Sequence, residues 1–186
     1  FQSQTFVGMG DQGAVMIAHR ELHGFGLAPG HALVWETALR AQPLAFRFGA
    51  KSYADNFRWE PGGGSAIHAV ALDTGDVRSW RIAPMMAFHA TQAWVDGRDL
   101  VLEIATYDDG VVFDDLRLER RRAGLPMRSR MRHVRYRLRD GRRDAEAEPI
   151  AGAAIELQQV HPERIGRGRA RVCWGAGNGE HGELFD

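Results

Sequence analysis

The stretch Met85–Tyr107, MMAFHATQAWVDGRDLVLEIATY, decides how the chain is read. Apolar residues run up to a single histidine, His89, and Ala93 and Trp94 lead into a polar corner, Asp96-Gly97-Arg98-Asp99. A second strand-like run, Leu100 to Tyr107, follows at once. The pattern predicts a two-strand hairpin with His89 in its first strand and charge confined to the corner. A histidine among apolar neighbours is by default a satisfied core residue, and a ligand only where other residues repeat the pattern.

Upstream, Ser65 to Leu72 places Ile67, Val70 and Leu72 in a strand-like run, and Asp73-Thr74-Gly75-Asp76 marks a hairpin corner before Val77 to Ile82. With the hairpin above, this predicts four meandering strands that form one propeller blade, with turns at Asp73 to Asp76, at Ala83-Pro84 and at Asp96 to Asp99. The pattern alone leaves a β-sandwich open. Thr5 to Ile17 reads as two strands around a Gly-Asp corner, and His31 to Trp35 as another after the turn Ala28-Pro29-Gly30. Gln42 to Trp59 is aromatic and irregular, and Val111 to Arg122 fits either a strand or a short helix. Val134, Tyr136 and Leu138 alternate with Arg135, Arg137 and Arg139, which predicts a half-buried strand with a solvated face, phosphate or lipid head-group contact being the alternative use of those arginines. Ile155 to Val160 and Arg171 to Trp174 are weaker strands. The expected class is all-β.

At 186 residues the chain suffices for one domain with a sizeable core. No apolar run approaches the roughly 20 residues that span a bilayer. The 24 basic and 24 acidic residues cancel, which argues against a nucleic-acid partner. Lys51 is the one lysine, an arginine bias that fits genome composition better than function. A single cysteine, Cys173, excludes an intrachain disulfide and a thiolate metal cluster, so a reducing, cytoplasmic interior is expected. Phe1 starts the chain with no charged leader or cleavage site, and the ends at Phe1 and Asp186 are abrupt, which reads as an internal fragment.

Eight histidines are present, and none forms HExxH, HxH or another close metal pair. A resemblance supplies what spacing does not. Phe88–Gly97, FHATQAWVDG, followed by Leu100–Gly110, LVLEIATYDDG, resembles the "FHxxNAYE-G … vvLD" signature of carotenoid cleavage oxygenases. Leu22–Leu39, LHGFGLAPGHALVWETAL, is similar to that family's "fHSFGlTpnyvvfvEtPl" segment, in the right order. The resemblance is densest from His23 to Asp115 and thins after Gly124.

The resemblance implies that residues 1–186 are part of a seven-bladed β-propeller that lacks its N- and C-terminal parts. Four histidines would hold a ferrous iron on its axis, with His23 matching the second ligand and His89 the third. The first would precede Phe1 and the fourth follow Asp186. No side chain is implied as a catalytic acid or base. Glu156, in Ala154-Ile155-Glu156-Leu157, matches the glutamate of the family's "EfPrin" segment and would hold the second nitrogen of a ligand histidine, His89 above all. Here Gln158-Gln159-Val160 replace Pro-Arg-Ile, Gly24 replaces Ser, and Gln92, Trp94 and Val95 replace Asn, Tyr and Glu. Glu36 also matches a family position and is read as structural, as are His19, His31, His68, His133, His161 and His181. Phe25, Phe57, Met85, Met86 and Phe88 are the candidate walls of a substrate tunnel, although such a set is more often plain core.

The implied activity is O₂-dependent cleavage of a carbon–carbon double bond in a carotenoid, apocarotenoid or stilbenoid, with Fe(2+) as cofactor, a peripheral membrane contact and no obligate protein partner. Alternatives are an isomerohydrolase on the same scaffold, a metal-free propeller binding module and a calcium-dependent hydrolase. The last would place Asn and Asp or Glu where His23 and His89 stand. The isolated chain is expected to be inactive.

Overall fold

The computed structural model describes residues 5–8, 14–17, 24–42, 53–152 and 155–177. His19, His23 and His181, and the aromatic residues Phe46 and Phe48, lie outside the described residues. Strands β1 (Thr5–Gly8) and β2 (Ala14–Ile17) pair as the expected antiparallel hairpin.

Two four-stranded antiparallel sheets follow. The first runs β3 (Phe25–Ala28), β4 (His31–Glu36), β7 (Ser65–Ala71) and β8 (Val77–Ile82), side by side in that order. A short hairpin, β5 (Leu39–Ala41) with β6 (Phe57–Trp59), is inserted between β4 and β7. The second runs β9 (Ala90–Asp96), β10 (Asp99–Tyr107), β11 (Met131–Leu138) and β12 (Glu146–Pro149). Two short helices, Val111–Asp115 and Leu118–Arg122, lie between β10 and β11, which settles the strand-or-helix alternative there. A third sheet begins with β13 (Ile155–Val160) paired to β14 (Cys173–Gly177). A meander per sheet is the blade of a propeller.

The expected single blade over Ser65–Tyr107 is corrected by this topology. β7 and β8 close one blade and β9 and β10 open the next, so the turn at Ala83-Pro84 is a crossing between blades. The reason lies at both ends of that turn. Trp80 sends its indole N–H to Arg139 O at 2.8 Å, and Arg81 N donates to Arg143 O at 2.8 Å, which ties β8 to the outer part of the second sheet. Met85, meanwhile, turns into the core, where its backbone N–H meets Ser65 Oγ at 3.1 Å.

The core lies between these two blades. Leu33, Trp35, Ile67, Ala69 and Trp80 of the first face Ala93, Leu100, Leu102, Ile104, Val134, Tyr136 and Leu138 of the second. Burying a side chain such as Leu102 or Ile104 contributes about 1.5–3 kcal/mol each. β10 is covered on both faces, which is why LVLEIATY reads as a nearly continuous apolar run.

Pairing within the second blade also corrects the place of His89. Met86 pairs with Tyr107, Ala90 with Ile104 and Gln92 with Glu103, so the first strand carries one extra residue on each side of Ala90. Such bulges take side chains out of the ladder and re-aim them. His89 therefore stands just before β9, outside the regular strand.

Candidate metal centre

The first strands of the three sheets, β3, β9 and β13, lie next to one another. A groove of about 170 Å³ runs between them, lined in part by Phe25, Ala90, Thr91, Gln158 and Arg164. Gly24 precedes β3, His89 precedes β9 and Glu156 is the second residue of β13, so the starts of all three inner strands converge.

At that convergence His89 Nδ1 lies 2.9 Å from Glu156 Oε2. The carboxylate is 8% exposed and its other oxygen, Oε1, is buried without a hydrogen-bond partner. A carboxylate only accepts, so in the neutral ring the proton sits on Nδ1 and the lone pair on Nε2. That is the tautomer a metal-ligating imidazole takes when a carboxylate stands behind it. Tyr107, 2% exposed, approaches the same carboxylate; burial first, and Glu156 second, hold its hydroxyl protonated far above the usual phenol range.

Apolar rings surround the pair. Phe88 lies 6.3 Å from the His89 ring, 5.9 Å edge-on from Tyr107 and 5.8 Å from Phe113, and Phe113 lies 5.7 Å from Phe57. Beyond Phe113 a cavity of about 370 Å³ opens between the β5–β6 hairpin and the first helix, lined by Leu39, Phe57, Trp59 and Val111 with Asp55, Asp109, Asp114 and Arg117.

Of the residues singled out in the sequence, His89 and Glu156 are brought together, and His23 lies outside the described residues. Its neighbour Gly24 packs so tightly that a Cβ would sit 2.9 Å from Phe88 O and 3.3 Å from the Trp35 ring. Gly24 thus abuts the segment that carries His89, and glycine, where the family pattern has serine, permits the approach. The five candidate wall residues separate. Phe57, Met86 and Phe88 belong to the aromatic cluster beside His89. Met85 is instead 4% exposed in the inter-blade core, where its backbone N–H meets Ser65 Oγ. Phe25 is 59% exposed at the groove on the other side of β9.

His68 is structural as expected: Nδ1 meets Ser79 Oγ at 2.8 Å and Nε2 meets Glu36 Oε1 at 3.1 Å. The arginines of β11 are committed to carboxylates, Arg135 to Glu103 and Glu148, Arg137 to Asp96 and Asp99. These two side chains are half-buried. His133, read as a residue among polar neighbours, is 9% exposed, and its Nε2 lies 2.8 Å from Thr91 Oγ1. Burial holds its pKa below the ordinary imidazole value, with Glu103 and Glu156 pulling the other way. The alternation in β11 places His133 on the face opposite Val134; what alternation did not show is that β13 covers that face. Among the described residues no group of three or more His, Cys, Asp or Glu side chains forms a metal site.

The sequence profile of the family described as retinal pigment epithelial membrane protein matches residues 11–186. The chain belongs to this family. Over 162 residues it is 30% identical to carotenoid cleavage dioxygenase 8 homolog A, chloroplastic, of Oryza sativa subsp. japonica, covering 78% of this chain and 29% of that protein. It is 27% identical over 108 residues to the mitochondrial carotenoid-cleaving dioxygenase of Mustela putorius furo, covering 55% of this chain and 20% of that one. Among solved structures, a Synechocystis apocarotenoid oxygenase variant superposes with a TM-score of 0.72 at 16% identity, over 94% of this chain and 36% of that one. A cobalt-substituted form of the Synechocystis protein gives 0.69 at 17% identity, over 90% and 34%. The chain thus spans about a third or less of the proteins it matches, and its blades are part of a seven-bladed β-propeller fold.

Proposed function

We propose that this chain is part of a non-haem iron(II) oxygenase that splits a carbon–carbon double bond of a carotenoid, apocarotenoid or stilbenoid. One O₂ is consumed and each alkene carbon becomes a carbonyl, so no external reductant enters the balance. The observation that carries the reading is the His89–Glu156 pair at 2.9 Å beside an aromatic cluster. Its donor chemistry fits iron. A neutral imidazole with its lone pair on Nε2 suits Fe(II), and histidines without anionic ligands leave positions open for other molecules. The family relatives named as carotenoid-cleaving dioxygenases, and a neighbour that accepts cobalt, support the same reading.

In this reading His89 and His23 are ligands, and bound iron supplies dioxygen activation next to the alkene. Glu156 fixes the His89 tautomer and ring direction. Tyr107, protonated and buried, keeps that carboxylate in a dry setting. Phe88, Phe113 and Phe57 line an apolar approach that takes a flat conjugated chain and excludes water. Phe25, exposed at the groove, and Met85, buried in the inter-blade core, stand apart from this approach.

The test uses the full-length protein, loaded anaerobically with Fe(II) and desalted. His89→Ala and His23→Ala should abolish iron retention and cleavage, Glu156→Gln should weaken iron affinity about 10–100-fold, and His68→Ala should retain stoichiometric iron. Products from a short panel of polyenes and stilbenes separate cleavage from isomerisation. Full iron occupancy and turnover in His89→Ala would sink the assignment.

A further inference from the structure

Two rungs join the inner strand of the second blade to that of the third. The first is His89 to Glu156. Two residues further along both strands stand Thr91 and Gln158, each 6% exposed, with the buried His133 ring between them. Thr91 Oγ1 is 2.8 Å from His133 Nε2, and the Gln158 amide nitrogen is 3.5 Å from the same ring atom. The Gln158 amide also donates to the backbone carbonyl of Ile155.

That last bond spans an irregular segment. Leu157, between Glu156 and Gln158, has φ of 54°, the left-handed region, and is the one non-glycine residue so placed among the described residues. The β13–β14 register slips over the same residues, between Glu156 and Gln159. A branched side chain in this conformation is strained and persists only where the surroundings over-determine it. The kink decides where Glu156 points, since relaxing Leu157 to extended backbone would swing the chain on either side of it. The amide of Gln158 closes the kink against Ile155, and the His133 ring, held in place by Thr91, packs beside that amide from the neighbouring blade. In the family pattern "EfPrin" a proline stands at this position and restricts the backbone covalently. Here the turn is closed instead by a hydrogen bond, from the Gln158 amide to Ile155 O.

We propose that Gln158 is a positioning residue of the metal centre: its amide, bonded to Ile155 O and backed by the His133 ring that Thr91 holds, locks the Leu157 kink that aims Glu156 at His89. The inference rests on the reading of His89 as an iron ligand. It is separable from plain packing because Gln158 Oε1 is buried with no partner. A buried orphan acceptor is unfavourable, so replacing Gln158 by a similarly sized apolar residue removes that penalty along with the amide bonds. Gln158→Leu should therefore move the metal affinity far more than the melting temperature.

The experiment measures Fe(II) affinity of the full-length protein by chelator competition, alongside Tm of the metal-free form and kcat and KM on a cleaved polyene. Gln158→Leu and the near-isosteric Thr91→Val should each lower Fe(II) affinity about tenfold or more, reduce kcat with KM unchanged, and shift the metal-free Tm little. Thr91→Ser, which keeps the hydroxyl, should restore the affinity. The proposal is overturned, with the parent reading intact, if both variants keep wild-type affinity while Glu156→Gln loses it. It is also overturned if their loss of iron is matched by a large fall in the metal-free Tm. If His89→Ala and Glu156→Gln leave iron binding unchanged, the reading and the proposal fail together.

Discussion

Asp115 gives the sharpest test of how the aromatic side of the candidate site is held. It ends the first helix, is fully buried, and accepts Arg128 N at 2.7 Å and Ser129 N at 2.8 Å on Oδ2, and Arg128 Nε at 2.8 Å on Oδ1. These bonds anchor the return from the helices to β11 and so hold the helix that carries Phe113 against Phe88. Asp115→Asn can keep an oxygen toward the two backbone donors, but it turns an NH₂ toward the Arg128 guanidinium and loses one charge-assisted bond, a cost of about 2 kcal/mol. Asp115→Ala also orphans the buried Ser129 N–H at about 1–3 kcal/mol, so its cost should reach about 3 kcal/mol or more. Urea unfolding of the full-length protein, with m unchanged, reads both values. The pH dependence follows from the carboxyl itself. Burial pushes its pKa up, but the Arg128 side chain and the backbone donors of Ser129 and Arg128 outweigh burial and bring it below the ordinary value. A lowered folded-state pKa means that the contribution is complete above the unfolded pKa of about 3.9 and is lost as pH falls through the folded value. The gap between wild type and Asp115→Asn should therefore narrow below about pH 4. An Asp115→Ala protein within about 1 kcal/mol of wild type, or a gap unchanged in acid, would refute this account.

Two further outcomes are expected. Gly24→Ala forces a Cβ to 2.9 Å from a backbone carbonyl oxygen and 3.3 Å from a fully buried tryptophan; overpacking of this kind costs about 1–3 kcal/mol, and because Phe88 must shift, iron affinity should fall with it. An unchanged melting temperature would show that the approach is looser than described. His133 is held neutral by burial against the pull of Glu103 and Glu156. Its contribution is full above the unfolded imidazole pKa of about 6.5 and erodes as pH falls toward the lower folded value. Melting curves between neutral pH and pH 5 should accordingly fall less steeply for His133→Leu than for wild type, and parallel profiles would contradict the burial argument.

How much of this was legible beforehand depends on which force placed each residue. Strand existence followed from local pattern: β7, β8, β10 and β11 stand where apolar alternation and turn residues put them. Blade membership did not, because the partner of β8 across Ala83-Pro84 is chosen by long-range contacts such as Trp80 with Arg139 O. The place of His89 was missed for a related reason. Two extra residues bulge the first strand around it, and a bulge has no signature in hydrophobic period. The Glu156–His89 contact lay beyond pattern altogether, since 67 residues separate the two, and only the family resemblance suggested it. Met85 and Phe25 differ in a way that apolar composition does not encode, the first buried in the inter-blade core and the second exposed at the groove.

The two faces of the second blade divide the work between stability and positioning. Toward the first blade it presents Leu100, Leu102, Ile104, Val134, Tyr136 and Leu138, a face that asks only for shape and volume. Toward β13 it presents Glu103, His133 and Arg135, with Gln92 donating to Glu103 at 2.7 Å and accepting Ala170 N at 2.7 Å. Buried polar contacts of this kind add little net stability, yet each has one geometry that satisfies it. An apolar interface tolerates small slips between blades, whereas a slip of one residue along the polar one would break the Gln92, Gln158 and Glu156 contacts together. The blade that carries His89 is thus fixed in register on the side from which its carboxylate partner comes. Register there matters more than adhesion, because a 2.9 Å contact between residues of different blades exists only if both strands start at the same height.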